Sequence, residues 1–347
     1  MLHSAISQND GIAGWHWHGV GHCPGHFGEL IQGMFSTSSG APRRSLVSLT
    51  CRSIGTTSEV LISQGQGDIY VPKGKSKVQR AVRAYCDSKV IPEAINIDVR
   101  IKSTIPEGIG MGSSTADIVS SIRALDQALG YHTPPEDILK LVMNAESACD
   151  STMLCQDVKL FAQREGRVVE DFGKPLSPLA IFGFDLMPGH FFKTDETPPA
   201  QYTVNEILTF DLLLERLRRG VARQDTGEIC AIATESALIN QSKYPKHNFD
   251  KFIEIKNHCG ALGICVSHSG TIAGLLFCIN SMPDDTTRHE IFAWLEMPNS
   301  MRSGCLESEH KKVNHDTPVY PSKSICHSDL RRTNVRRGQS QSDGSKI

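Results

Sequence analysis

"IPEGIGMGSSTADI", residues 105–118, sets three glycines and three hydroxyl side chains into the eight positions from Gly108 to Thr115. Before it, "INIDVRIKS" alternates strictly, with Ile95, Ile97, Val99 and Ile101 on one face, which predicts a half-buried strand. After it, Ile118, Ile122, Leu125 and Leu129 recur at helical spacing, and Gly130 stands where a C-terminal cap is expected. The stretch therefore joins a strand to a helix N-terminus, where unpaired N–H groups and the positive end of the helix dipole attract anions. Gly108, Gly110 and Gly112 let the backbone approach a phosphate, and Ser113, Ser114 and Thr115 add donors or a magnesium ligand. It reads as a phosphate cradle, although it has neither the Gly-Lys-Ser/Thr ending of the common phosphate loop nor the dinucleotide pattern G-x-G-x-x-G. A plain strand-to-helix turn would require neither Pro106 nor the ordered strand and helix around it.

The rest of the chain bounds what such a loop can serve. With 347 residues, 39% hydrophobic residues and a formal net charge of -2, a two-domain protein of no dominant charge is expected. The body up to about Met297 mixes both signs, which argues against nucleic acid as a partner. No stretch approaches the ~20 apolar residues of a membrane span, and "MLHSAISQND" lacks the build of a leader, so a cytoplasmic location is expected and a membrane partner is not. Eleven cysteines without C-x-x-C pairing fit reduced, mostly core thiols.

Along the chain, "SLVSLT" and "SEVLIS" read as short strands and "KVQRAVRAYC" as a helix. "PPEDILKLVMNAESACD" reads as one helix, with Pro135 and two acids in its first turn. Pro/Gly-rich "EDFGKPLSPLA" marks a domain boundary, giving 1–175, 176–298 and a tail at 299–347 whose polar composition predicts disorder. Beyond the boundary come a strand "LAIFGFDL", a loop "TDETPPAQ", two helices from Val204 to Ser242, a helix "FDKFIEIKNHCG", and two strands in "ALGICVSHSGTIAGLLFCI" around a His-Ser-Gly turn. Strands and helices without regular alternation define an α+β class.

The spacing from Pro106 through Gly110, Met111, Gly112, Ser113, Ser114, Thr115 and Ala116 resembles the central motif of the GHMP kinases, the superfamily of galactokinase and of homoserine, mevalonate and phosphomevalonate kinases. "CPGHFGELIQG", residues 23–33, is similar to that family's first motif, and "VSHSGTIAGL", residues 266–275, to its third, in the same order. The wording from Cys23 to Gly33, Gly110 to Ile118, Glu146 to Thr152 and Ser267 to Gly270 resembles most the branch that phosphorylates L-threonine for cobalamin side-chain synthesis and propanediol utilisation. The resemblance implies an N-terminal domain like ribosomal protein S5 domain 2, a ferredoxin-like C-terminal domain, and ATP and Mg2+ as cofactors.

It also implies roles. Pro106, Glu107, Gly108, Ile109, Gly110, Met111, Gly112, Ser113, Ser114, Thr115 and Ala116 would hold ATP; Ser114 and Glu146 would ligate magnesium; Asp150 would be the base or hydroxyl orienter. Glu146 and Asp150, four apart, would share one helix face, where a solvated acid pair is the competing reading. Glu29 would meet a substrate ammonium or form a buried ion pair, and Ser267, His268 and Ser269 would flank substrate or simply shape a turn. Asp117 would complement the helix dipole or support the metal. His26 stands where mevalonate-type enzymes carry Lys or Arg. The cluster His16, His18, His22, Cys23 and His26 invites a zinc reading but matches no familiar spacing. The implied reaction is transfer from ATP to L-threonine giving O-phospho-L-threonine; other acceptors (homoserine, mevalonate, a sugar) and a non-catalytic ATP/metabolite sensor are the alternatives, and a homodimer is left open.

Overall fold

The computed structural model describes residues 17–38, 40–91, 95–154, 157–191 and 200–295. The expected loop at 194–201 and the expected tail at 299–347 fall largely or wholly outside them. The frame is a long antiparallel hairpin of β1 (Trp17–Phe35) and β2 (Arg43–Gln64), paired from Trp17 opposite Ile62 to Phe35 opposite Arg43. "SLVSLT" and "SEVLIS" are thus two parts of one 22-residue strand rather than separate strands. Pairing with β1 carries the backbone through Gly55, where a Cβ would sit 2.5 Å from the His22 ring. The register slips between Pro24 and Gly25, between His26 and Glu29, and between Glu29 and Ile31. Such bulges re-aim side chains out of the strict alternation of a strand.

β3 (Ile69–Tyr70) runs parallel to β4 (Ile95–Ser103), which pairs with β2. β5 (Lys159–Ala162) joins β2 at Leu46 opposite Phe161 and pairs with β6 (Arg167–Asp171). "EDFGKPLSPLA" leads from β6 to β7 (Leu179–Asp185). With β8 (Gly263–Val266) and β9 (Ile272–Cys278), the sheet reads β3-β4-β2-β1-β8-β9-β7. The expected α+β architecture is observed.

Helices α1 (Ser76–Asp87), α2 (Ser113–Leu129) and α3 (Pro135–Ala145) cover the first part of the sheet. α2 ends on left-handed Gly130, as its sequence predicts. Gly19 and Gly21 of β1 let α2 lie almost on the strand: a Cβ at either would come within 2.1 Å of a helix carbonyl. That contact fixes where the N-terminus of α2 meets the bulged part of β1. α3 stops at Ala145, five residues short of the expected helix end. Arg80 Nη2 donates to the Ala145 carbonyl at 2.6 Å, and the Cys149 N–H is drawn to the Gln163 carbonyl at 2.9 Å. Glu146 is therefore extended (φ −146°, ψ 157°), and Glu146 and Asp150 do not share a helix face.

The later helices are α4 (Val204–Arg223), started by a Thr203/Glu206 capping box, α5 (Thr226–Gln241), α6 (Phe249–His258) and α7 (Asp285–Trp294). α7 has no counterpart among the sequence-based expectations. A core through both ends of the sheet joins Phe27, Ile122, Phe161, Phe210 and Leu276, and a second gathers Phe182, Phe184, Phe252 and Phe292 edge to face. Among the described residues, no helix is long and apolar enough to cross a membrane.

Candidate active site

Main-chain bonds draw three distant segments together. The His26 N–H donates to the Met111 carbonyl at 3.2 Å, the Thr271 N–H donates to the Ile109 carbonyl at 3.0 Å, and Glu29 pairs with Val266 between β1 and β8. Glycine makes these approaches feasible. A Cβ on Gly270 would lie 2.0 Å from the Ile109 carbonyl oxygen, and one on Gly112 (φ +76°) would lie 2.7 Å from both Asp150 Oδ2 and His26 Cδ2. Between the segments lies a cavity of about 310 Å³.

Gly112 starts α2 in the left-handed region and supplies no side-chain cap. The first-turn N–H groups, from Ser113 onward, have no carbonyl of their own helix to donate to, and Ser113, Ser114 and Thr115 line the cavity with Gly108, Gly110, Met111 and Gly112. Glu146 sits beneath them, with Ser114 Oγ donating to its Oε2 at 2.7 Å, Thr115 Oγ1 donating to its Oε1 at 2.6 Å, and Lys77 Nζ at 3.4 Å. Burial pushes the Glu146 carboxyl up, against the pull of the Thr115 and Ser114 hydroxyls and the Lys77 charge. A carboxylate and a hydroxyl facing one cavity form an all-oxygen donor set, which fits a hard cation such as magnesium.

On the opposite wall the bulge turns His26 and Glu29 into the cavity. His26 Nε2 lies 3.2 Å from Asp150 Oδ1, and Nδ1 lies 3.6 Å from Glu29 Oε1. Burial alone would push the His26 imidazole down, but the Asp150 and Glu29 carboxylates overcome it and hold the ring at about 9, a cation at neutral pH. Burial likewise works to raise Asp150, but the His26 charge and hydrogen bond outweigh it and leave the carboxyl below its usual range. Glu29 is pushed up by burial to about 7, with His26 opposing. The result is an ionised Asp150, partly open to the cavity, with a buried cation behind it.

The third segment contributes His268 and Ser269 to the lining. His268 Nδ1 lies 2.8 Å from Gln32 Oε1, and burial, with the charges of Arg44, Lys246 and Arg164, pushes the imidazole down to about 3. Ser267 is buried, with its N–H and hydroxyl both directed to the Ile272 carbonyl. Pro106 and Glu107 are exposed, Glu107 being paired with Lys75; Ile109 presents its carbonyl to Thr271, and Ala116 is packed inside α2. Asp117 is buried in an ion pair with Lys75 (2.6 Å) and takes the Thr56 hydroxyl (2.9 Å), facing away from the cavity lining. His18 pairs with Glu59, His22 with Thr57 and His26 with Asp150, so these three histidines disperse; His16 lies outside the described residues, among which no cluster of three or more His, Cys, Asp or Glu has metal-binding geometry. Lys77, Gln163 and Leu46 also line the cavity and carry no motif that could have singled them out.

A strand-loop-helix cradle open at the helix N-terminus, facing an oxygen donor pair and an ionised aspartate, is the equipment of a phosphoryl-transfer site. Residues 76–162 match the GHMP kinases N terminal domain. The fold is similar to homoserine kinase from Cytophaga hutchinsonii, with TM-score 0.59 and 17% identity over 83% of this chain and 92% of that one. The match runs from α1 through β5, so the chain contains a GHMP kinase N-terminal domain. The chain is 26% identical to the L-threonine kinase of Citrobacter freundii over 284 residues (78% of this chain, 88% of the relative). It is also 26% identical to the L-threonine kinase of Salmonella typhimurium over 292 residues (83% and 88%).

Proposed function

We propose that the chain transfers the γ-phosphoryl group of ATP to the side-chain hydroxyl of L-threonine, giving O-phospho-L-threonine and ADP. The observation that carries this reading is the convergence on one cavity of the open α2 N-terminus, the Ser114/Glu146 oxygen pair and the His26-held carboxylate of Asp150. The similarity to two L-threonine kinases supports L-threonine as the acceptor.

In this reading the N–H groups from Gly110 to Thr115 would bind the β- and γ-phosphates, and Ser114 and Glu146 would hold magnesium, which would supply positive charge to neutralise the phosphates. Asp150, kept ionised by His26, orients the acceptor hydroxyl and takes its proton as the oxygen attacks phosphorus. His26 stands behind the same carboxylate and adds positive charge near the transferred group, the role for which a lysine or arginine would otherwise serve. The product would feed the aminopropanol side chain of cobalamin, and the protein would work in the cytoplasm. The test is ADP release with magnesium-ATP against L-threonine, L-serine, L-homoserine, mevalonate and galactose, with Ser114→Ala as background. Turnover specific to L-threonine is expected; turnover only with another acceptor would retain the kinase and reject the substrate.

A further inference from the structure

One cation on the cavity wall has no part in the chemistry described so far. Lys77 lies in the first turn of α1 and lines the cavity, with its side chain 32% exposed and its Nζ 3.4 Å from Glu146 Oε2. The position opposes the helix dipole, which disfavours a cation at a helix N-terminus, and the first turn of α1 holds no acid to offset it. Glu146 Oε2 also accepts from Ser114 Oγ at 2.7 Å, so an ammonium and a hydroxyl meet on one oxygen of the donor pair that suits a hard cation. Lys75, two residues earlier, is used differently: it is committed to Glu107 and Asp117 and does not line the cavity.

We infer that Lys77 is a phosphate-binding residue that trades places with the metal: in the empty site its ammonium is the counter-charge of Glu146, and in the loaded site it moves onto the phosphate oxygens of the nucleotide. Two cations in contact with one carboxylate oxygen repel each other, and a hard divalent ion holds such an oxygen more strongly than an ammonium does. Lys77 is the partner able to leave. Its four-carbon stem is flexible and partly exposed, whereas the Glu146 side chain is 3% exposed and fixed by the Ser114 and Thr115 hydroxyls. The displaced ammonium finds its next anion in the same cavity, because the cradle from Gly108 to Thr115 forms part of that wall and a triphosphate carries more negative charge than one divalent ion cancels. The exchange keeps Glu146 paired when the site is empty and releases a positive charge to the nucleotide when metal arrives, so the two bind as a coupled pair. The inference rests on the reading that Ser114 and Glu146 hold magnesium for ATP, and it goes further by giving Lys77 both a ligand and a moment to reach it.

The test pairs two binding measurements on the full chain. Mn2+, a spectroscopic substitute for magnesium, is titrated without nucleotide by electron paramagnetic resonance, and a non-hydrolysable ATP analogue is titrated calorimetrically with magnesium present. Lys77→Met should bind Mn2+ tighter than the wild type by about threefold or more, because the competing ammonium is gone, and the analogue weaker by about tenfold or more, because a charge-assisted contact is lost. A residue that merely packs would lower both affinities or neither, so the opposite shifts are the signature of exchange. A second measurement needs no variant and holds even if Lys77→Met fails to fold: amine acetylation of the unmutated chain, read by mass spectrometry, should show Lys77 protected by magnesium plus the analogue while Lys75 reacts as before. Mn2+ binding unchanged or weakened in a folded Lys77→Met, analogue affinity held within about threefold, or a Lys77 equally reactive with and without the analogue would overturn the exchange. If the unmutated chain binds no analogue, the kinase reading falls and takes the exchange with it. If it binds the analogue and phosphorylates homoserine rather than threonine, the shifts in Lys77→Met still uphold the exchange and the acceptor alone is refuted.

Discussion

Replacing His26 with glutamine should shift the pH profile of the enzyme. The imidazolium stands 3.2 Å from Asp150 and 3.6 Å from Glu29, with His26 and Glu29 side chains 4% and 1% exposed, so solvent screens little of its charge. An opposite charge within a few ångströms lowers a carboxylate pKa by about 1–3 units, and each unit is about 1.4 kcal/mol. In His26→Gln the acid limb of kcat/KM for L-threonine, read by ADP release, should therefore move up by about 1–3 pH units. Leaving a buried carboxylate without its counter-charge costs about 3–5 kcal/mol, so the melting temperature should also fall. The wild type carries two opposed slopes. His26 is raised from 6.5 to about 9, so its contribution to stability is complete below 6.5 and is lost as pH climbs through about 9. Asp150 is depressed, so its contribution is present above the ordinary carboxylate pKa and is lost as pH falls through the lowered value. His26→Gln should flatten both slopes, and His26→Lys should retain the acid limb. A folded His26→Gln protein whose acid limb coincides with that of the wild type would refute the coupling.

Other variants probe separate parts of the site. Ser114→Ala and Asp150→Asn should each lower turnover at least about tenfold with the protein still folded, measured by ADP release and circular dichroism. Gly112→Ala puts a Cβ 2.7 Å from Asp150 Oδ2 on a residue at φ +76°, and should cost about 1–3 kcal/mol in urea unfolding while abolishing most activity. Lys75→Met leaves Asp117 buried without its cation and should destabilise by about 3–5 kcal/mol, yet at 25 °C the KM for ATP should stay within about threefold because the pair does not line the cavity.

The cradle itself was legible because its signals are local. Strict alternation before Thr104 and a helical period after Ser113 fix the strand and helix, and Gly130 ends the latter through its own left-handed preference. The end of α3 was not legible: Ala145 to Asp150 contains neither glycine nor proline, and the helix is stopped by partners 65 residues upstream and 14 residues downstream in sequence. The aim of His26 and Glu29 depends on register slips against β2, which no pattern within β1 announces. Asp117 left two readings open in sequence, and only the fold brings it to Lys75 and Thr56. Gln32 and His268 each lay inside a quoted motif, but their bond spans 236 positions and exists only through the sheet.

The contacts that stitch the loop to its neighbours, His26 N–H to Met111 and Thr271 N–H to Ile109, run between peptide groups. A peptide group is the same whatever side chain it bears, so these seams hold the parts in place without dictating what His26, Met111, Ile109 or Thr271 must be. The scaffold thus separates alignment from recognition. Cavity-lining side chains such as His268 and Gln163 can therefore change without breaking these seams, provided Gly112 and Gly270 remain bare enough for the seams to close.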